Sequence, residues 1–201
     1  MYKTATKFKT TAITAIALAG FLAAGTALAD KGKAKAWGKP GMNPFAPGGN
    51  IVEVALAAND ALGGGVFETV YTAATCDYFE GAIASILVGD DKVTLFAPTN
   101  AAFDALGLDA GNICSTFEET PEALANILAY HVTEGRRFSN SVLNKNGNMK
   151  EIEMLNGGTI ATKDGKVYDE NMNEITIGIA NVSASNGVIH VIDKVLLPGA
   201  E

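Results

Sequence analysis

The sequence predicts an α+β domain with helices packed mainly from its N-terminal half. Two observations carry this: apolar residues recur at helical spacing between Ile51 and His131, and they alternate with polar ones from Glu151 onward. A third is their order. Helices gathered early and antiparallel strands gathered late argue against a βαβ repeat, and so against the nucleotide-binding crevice of a parallel sheet.

Taken along the chain, Ile51, Val52, Ala55, Leu56 and Ala58 share one broad helical face, with Asn50 as its N-cap. Gly63-Gly64-Gly65 then makes a turn, since no G-x-x-x-x-G-K or G-x-G-x-x-G phosphate loop is completed around it. Val66, Phe67, Val70, Tyr71 and Ala74 form a second amphipathic face, and Tyr78 to Leu87 is a third helix ending before Gly89-Asp90-Asp91. Val93 to Ala97 is a short strand, followed by a helical turn from Asn100 to Leu106. Thr120-Pro121 opens a further helix, with a capping hydroxyl, proline at the first helical position and Glu122 near the positive helix end. Leu124, Ile127, Leu128 and His131 lie on its apolar stripe. Ser139 to Leu143 is a brief helix at most. Thr159 to Thr162 and Lys166 to Asp169 flank Asp164-Gly165, a strong hairpin signal. Ile175, Ile177 and Ile179 then alternate with Thr176 and Gly178, and Val188 to Ile192 leads to Val195-Leu196-Leu197.

With 48% hydrophobic and 18% charged residues, the 201-residue chain has apolar material for one domain-sized core. Residues 1–29 read as a signal peptide: Lys3, Lys7 and Lys9, then an apolar run from Thr11 to Ala24, then Ala27-Leu28-Ala29 before Asp30. That run is shorter than the ~20 apolar residues a membrane span needs, so no transmembrane anchor is expected. Its removal takes three lysines and moves the formal charge from −7 to −10. Residues 30–47 read as a linker in which Lys31, Lys33, Lys35 and Lys39 face the single Asp30, net +3, and Pro40, Pro44 and Pro47 break any helix. From Gly48 onward there are eight Lys or Arg against 21 Asp or Glu, net −13. Nucleic-acid binding by this body is excluded as an expectation, because phosphate contact needs clustered cations. The lysine arm is either a solvated leader or an electrostatic contact to a surface lipid, a polyanionic sugar or its own domain.

Cys76 and Cys114 are an even pair in a chain that carries an export signal, which predicts a structural disulfide. No metal is expected, because His131 and His190 lack a His or Cys partner at helical ligand spacing. Asp164, Asp169, Glu170 and Glu174 lack the EF-hand spacing and read as a solvated acidic loop. Neither a G-x-S-x-G elbow nor an H-E-x-x-H helix is present, so no catalytic residue is assigned and no cofactor is expected. A His131 base with a distant serine remains the one hydrolase alternative.

Three ordered segments carry a family resemblance. Thr94-Leu95-Phe96-Ala97-Pro98-Thr99-Asn100-Ala101-Ala102-Phe103 resembles the first signature of the fasciclin (FAS1) domain, and Leu128-Ala129-Tyr130-His131-Val132 is similar to its tyrosine-histidine motif. Asn186 to Pro198, beginning Asn186-Gly187-Val188-Ile189-His190, resembles the second signature. The resemblance covers about Asn50 to Pro198 and makes 48–201 a single FAS1-like domain. It implies a β-sandwich or wedge with helices packed on it, in a secreted or surface protein that mediates adhesion.

The resemblance also implies a binding role for Tyr130 and His131, while the residues themselves read as core groups: His131 on an apolar helix face, His190 inside an apolar strand, Tyr130 as a core aromatic. The expected function is therefore non-catalytic binding at a cell surface or matrix. Its partner is a surface or matrix protein or polysaccharide, or a second copy, after export to the periplasm or the exterior. The alternative is a carrier of an apolar small molecule, a carotenoid or lipid; some members of the resembled family hold carotenoids.

Overall fold

A computed structural model describes residues 49–61, 64–79, 82–143 and 147–199. Residues 1–29, expected as a signal peptide, and Lys31, Lys33, Lys35 and Lys39 of the expected linker lie outside the described residues. Seven helices are described: α1 (Ile51–Ala61), α2 (Glu68–Ala74), α3 (Ala82–Val88), α4 (Asn100–Asp104), α5 (Ile113–Thr116), α6 (Pro121–Ala129) and α7 (Ser139–Val142). Eight strands accompany them: β1 (Val93–Pro98), β2 (Val132–Glu134), β3 (Lys150–Glu153), β4 (Thr159–Lys163), β5 (Lys166–Tyr168), β6 (Glu174–Ile175), β7 (Ile177–Ala184) and β8 (Gly187–Ile192). They form two four-stranded sheets, ordered β2-β1-β8-β7 and β3-β4-β5-β6.

The α+β expectation holds, with one departure. β1 and β8 pair in parallel, Val93 opposite Gly187 through Pro98 opposite Ile192, while all other pairs are antiparallel. Both strands are buried along their whole length. Their sides face different cores, as a period of two requires. Leu95, Ala97, Ile189 and Val191 pack with Ile51 and Val54 of α1. Phe96 and Ile192 pack with Ile152, Ile160, Val167 and Ile175 of the second sheet. A third cluster joins α2, α4, α5 and α6 through Ala73, Phe103, Ile113, Leu124 and Leu128. Helices thus cover one face of the first sheet and the second sheet covers the other.

Local chemistry explains several boundaries. Asn50 caps α1 in a reciprocal box: its Oδ1 accepts the Glu53 N–H at 3.0 Å, and Glu53 Oε2 accepts the Asn50 N–H at 2.9 Å. Asp164 and Gly165 both have positive φ, 51° and 79°, the turn that matches the twist of the β4–β5 hairpin. Pro121 does start α6, but the Thr120 hydroxyl makes no cap bond. The expected helix from Tyr78 to Leu87 is a 3-10 turn at Asp77–Phe79 followed by α3. Val195-Leu196-Leu197 is buried without being a strand in the case of Val195 and Leu196. Two elements have no signal in the sequence, α5 with four residues and β2 with three, both too short to display a period.

Candidate functional site

α1, α2 and α3 stand over the first sheet and enclose an apolar cleft of about 110 Å³. Ile51, Val52, Ala55 and Leu56 of α1 form one wall, Tyr71 and Ala74 of α2 a second, and Ile83, Ala84, Ile86 and Leu87 of α3 a third. Leu95, Leu128, His131, Val132 and Leu155 make the floor. Leu56, Tyr71 and Ile86 are 42%, 45% and 39% exposed, so the cleft opens to solvent where they stand. The polar groups of the lining are largely occupied elsewhere. Asn59 Oδ1 accepts the N–H groups of Val66 and Phe67 at 2.6 and 3.0 Å, fastening the end of α1 to the start of α2. Thr75 Oγ1 donates back to the Tyr71 carbonyl at 2.9 Å. Among the described residues of the lining, Glu68 is the single charged one.

His131 was expected within the α6 stripe, but α6 ends at Ala129, and His131 follows the C-cap Tyr130. It is buried, and both ring nitrogens are engaged: Nδ1 lies 2.7 Å from the Ile127 carbonyl and Nε2 accepts the Leu196 N–H at 2.9 Å. A carbonyl only accepts and an amide N–H only donates, so the ring is neutral with its proton on Nδ1. Burial pushes its pKa down to about 4, against a smaller opposing pull from the Ile127 carbonyl. The ring contributes to the cleft floor while offering it no free nitrogen.

Tyr130 is fully buried in the core between the sheets. Its hydroxyl donates to the Thr159 carbonyl at 2.6 Å and accepts the Glu170 N–H at 3.0 Å. Burial raises its pKa far above the usual phenol range, outweighing the Glu170 N–H bond that favours the phenolate. Both residues of the tyrosine-histidine motif are thus bonded inside the fold. His190 is the mirror case in tautomer. Its Nε2 donates to the Arg137 carbonyl at 2.8 Å, its Nδ1 faces the Asn181 N–H at 3.4 Å, and its ring stacks on Phe96 with centroids 5.6 Å apart. Burial lowers its pKa as well.

The acidic loop is not simply solvated. Asp169 is buried, and its carboxylate accepts the N–H groups of Asn171, Asn173 and Leu197 at 3.0, 2.8 and 3.3 Å. Glu170 accepts the N–H of Thr159 at 2.9 Å and of Gly199 at 2.7 Å, which ties the loop to the C-terminal segment. These oxygens hold backbone, and no metal-binding group of three or more His, Cys, Asp or Glu exists among the described residues. Cys76 and Cys114 form the expected disulfide, Cα–Cα 5.6 Å, joining the chain after α2 to α5.

Asn186, which stands in the sequence only as part of a signature, is a structural centre. It is buried; its Oδ1 accepts the Ile51 N–H at 2.9 Å, and its Nδ2 donates to the carbonyls of Leu87 and Gly89, both at 2.8 Å. One amide therefore positions the start of α1 and the end of α3, two walls of the cleft, on the β7–β8 turn. The visible signal was Asn-Gly, which reads as a hairpin turn and conceals this second role.

Comparison with known proteins agrees with this architecture. The fasciclin domain profile matches residues 68–198. Protein sll1483 of Synechocystis sp. is 42% identical over 119 residues, 58% of this chain and 61% of that protein. Protein sll1735 of the same organism is 32% identical over 150 residues, 75% of this chain and 98% of that protein. The chain thus spans less than two thirds of the first relative and nearly all of the second. The structure of a FAS1 domain pair from the insect cell adhesion molecule Fasciclin I matches at a TM-score of 0.55 and 15% identity, covering 74% of this chain and 51% of that one. Three ordered signatures, a helix-covered double sheet and a profile match across most of the described residues have one reading in common: the chain belongs to the fasciclin domain family.

Proposed function

We infer that this is an exported, non-catalytic binding protein whose fasciclin domain takes an apolar small molecule into the cleft between α1, α2 and α3. The observation that carries this reading is the cleft itself, lined mainly by apolar side chains and open at a rim of exposed Leu56, Tyr71 and Ile86. Its size sets the ligand. An apolar cavity of ~150 Å³ takes benzene, so about 110 Å³ holds less than that and suits a short branched end or part of a ring, with the rest of a longer molecule lying along the rim. Export rests on the pattern of residues 1–29, and no helix among the described residues is long and apolar enough to cross a membrane. A non-catalytic role is supported by His131, whose two nitrogens are committed to backbone. Protein purified from its source and extracted with organic solvent is expected to release an apolar molecule in near-stoichiometric amount. A colourless protein with an empty extract would contradict the carrier role.

A second reading is adhesion to a surface or matrix protein, a polysaccharide or a second copy. It is favoured by the likeness to a domain pair of a molecule described as a cell adhesion molecule. Tyr130 and His131 would then serve adhesion by holding the fold, since both are buried.

A further inference from the structure

The exposed apolar side chains are unevenly placed. Among the described residues eight large ones are exposed, and four of these, Leu56, Tyr71, Ile86 and Val88, belong to the three helices that wall the cleft. Three of the four also line it. The same helices carry no Lys or Arg; their charged residues are Glu53, Asp60 and Glu68. We propose that this rim is a docking patch for an uncharged lipid surface, seated so that the mouth of the cleft faces the acyl region. The proposal rests on the carrier reading for its purpose, because an apolar cargo then passes between lipid and cleft without crossing water.

Charge and area select this occupant. A patch with acids and no cations is repelled by anionic headgroups, whereas interfacial helices built for anionic lipid carry Lys or Arg beside their apolar face. A zwitterionic or neutral surface has no such conflict. Counted together the four side chains expose roughly 300 Å², at the lower end of the largest apolar patch on a single chain, which is often functional. A stable interface with a second copy takes about 800 Å² from each partner, so this rim alone falls short of a dimer.

The test is co-flotation of the chain from Asp30 onward with zwitterionic phosphatidylcholine vesicles. Binding is expected, and the triple variant Leu56→Gln, Tyr71→Gln, Ile86→Gln should weaken it at least tenfold at an unchanged melting temperature. The control pair Phe138→Gln and Met172→Gln, exposed elsewhere, should leave it unchanged. Vesicles of anionic phosphatidylglycerol should hold the domain less well, and any binding by the lysine arm there should vanish with salt and ignore the triple variant. Absence of flotation with phosphatidylcholine, or equal flotation of the triple variant, would overturn the proposal. So would self-association that the triple variant abolishes without lipid being bound. Nile red binding in vesicle-free solution is read separately. If the dye binds while vesicles do not, docking fails and the carrier reading stands. If vesicles bind and the dye does not, docking stands and the carrier reading fails.

Discussion

His131 joins two distant parts of the chain through one ring, bonding Ile127 at the end of α6 and Leu196 in the C-terminal segment. Its folded pKa of about 4 lies below the ordinary 6.5, so the unfolded chain takes up the proton first as pH falls. The stability tied to this group is complete above about pH 6.5 and is lost as the pH falls to about 4, a change of roughly 3 kcal/mol. His190 is shifted in the same direction and adds to the same loss. Urea midpoints at pH 7 and 4.5 should therefore show a steep fall in the wild type and a shallower one in His131→Leu. That variant should also lose about 2 to 5 kcal/mol at pH 7, because it leaves the Leu196 N–H and the Ile127 carbonyl buried and unpaired. An unchanged pH slope would contradict the assignment. Asn186→Ala removes three bonds made by one buried amide and should cost on the order of 3 kcal/mol by chemical denaturation. Tyr130 and His131 are visible in the sequence as motif residues with two competing roles, and both are buried and hydrogen-bonded within the fold. Asn186 was not visible in this way, since its partners come from 135 and about 97 positions earlier in the chain.

The elements that the sequence revealed are those set by local rules. Asp164-Gly165 dictates its own turn, Pro121 starts α6, and the alternation at Ile175, Ile177 and Ile179 reads as β6 and β7. What stayed hidden depends on distant partners. The parallel pairing of β1 with β8 joins Val93 to Gly187 and has no local signature. Its closeness is recorded instead by Gly187, where a Cβ would run into the Val93 carbonyl oxygen and the Ile51 side chain. The Cys76–Cys114 bridge acts at this scale too. It fastens α5, a four-residue helix too short to persist alone, to the end of α2. Cys76→Ser with Cys114→Ser should lower stability by about 3 to 4 kcal/mol, the value for a loop of 38 residues. Hydrogen exchange in α5 should speed up more than in β1 or β8. Equal exchange in all three would place the effect elsewhere.

Across the whole molecule, charge is segregated along the chain: net +3 in residues 30–47 and −13 from Gly48 onward. If the arm retains the protein on an anionic surface, deleting residues 30–47 should weaken retention most at low salt, where exposed charges are least screened. Equal retention at every salt concentration would remove the arm from the mechanism. The domain contributes something different: an apolar cleft framed by three helices whose placement on the sheet depends on Asn186 and the core around Ile51 and Val54. That cleft was not legible in the sequence, because each of its walls reads separately as an ordinary amphipathic helix. The most direct measurement is the affinity of Nile red for the chain from Asp30 onward and for its Ala55→Trp variant, in which a large ring fills the cleft from the α1 wall. Saturable binding is expected, weakening at least tenfold in the variant, with the melting temperature little changed. Equal affinity in the two proteins, or none in the wild type, would contradict it.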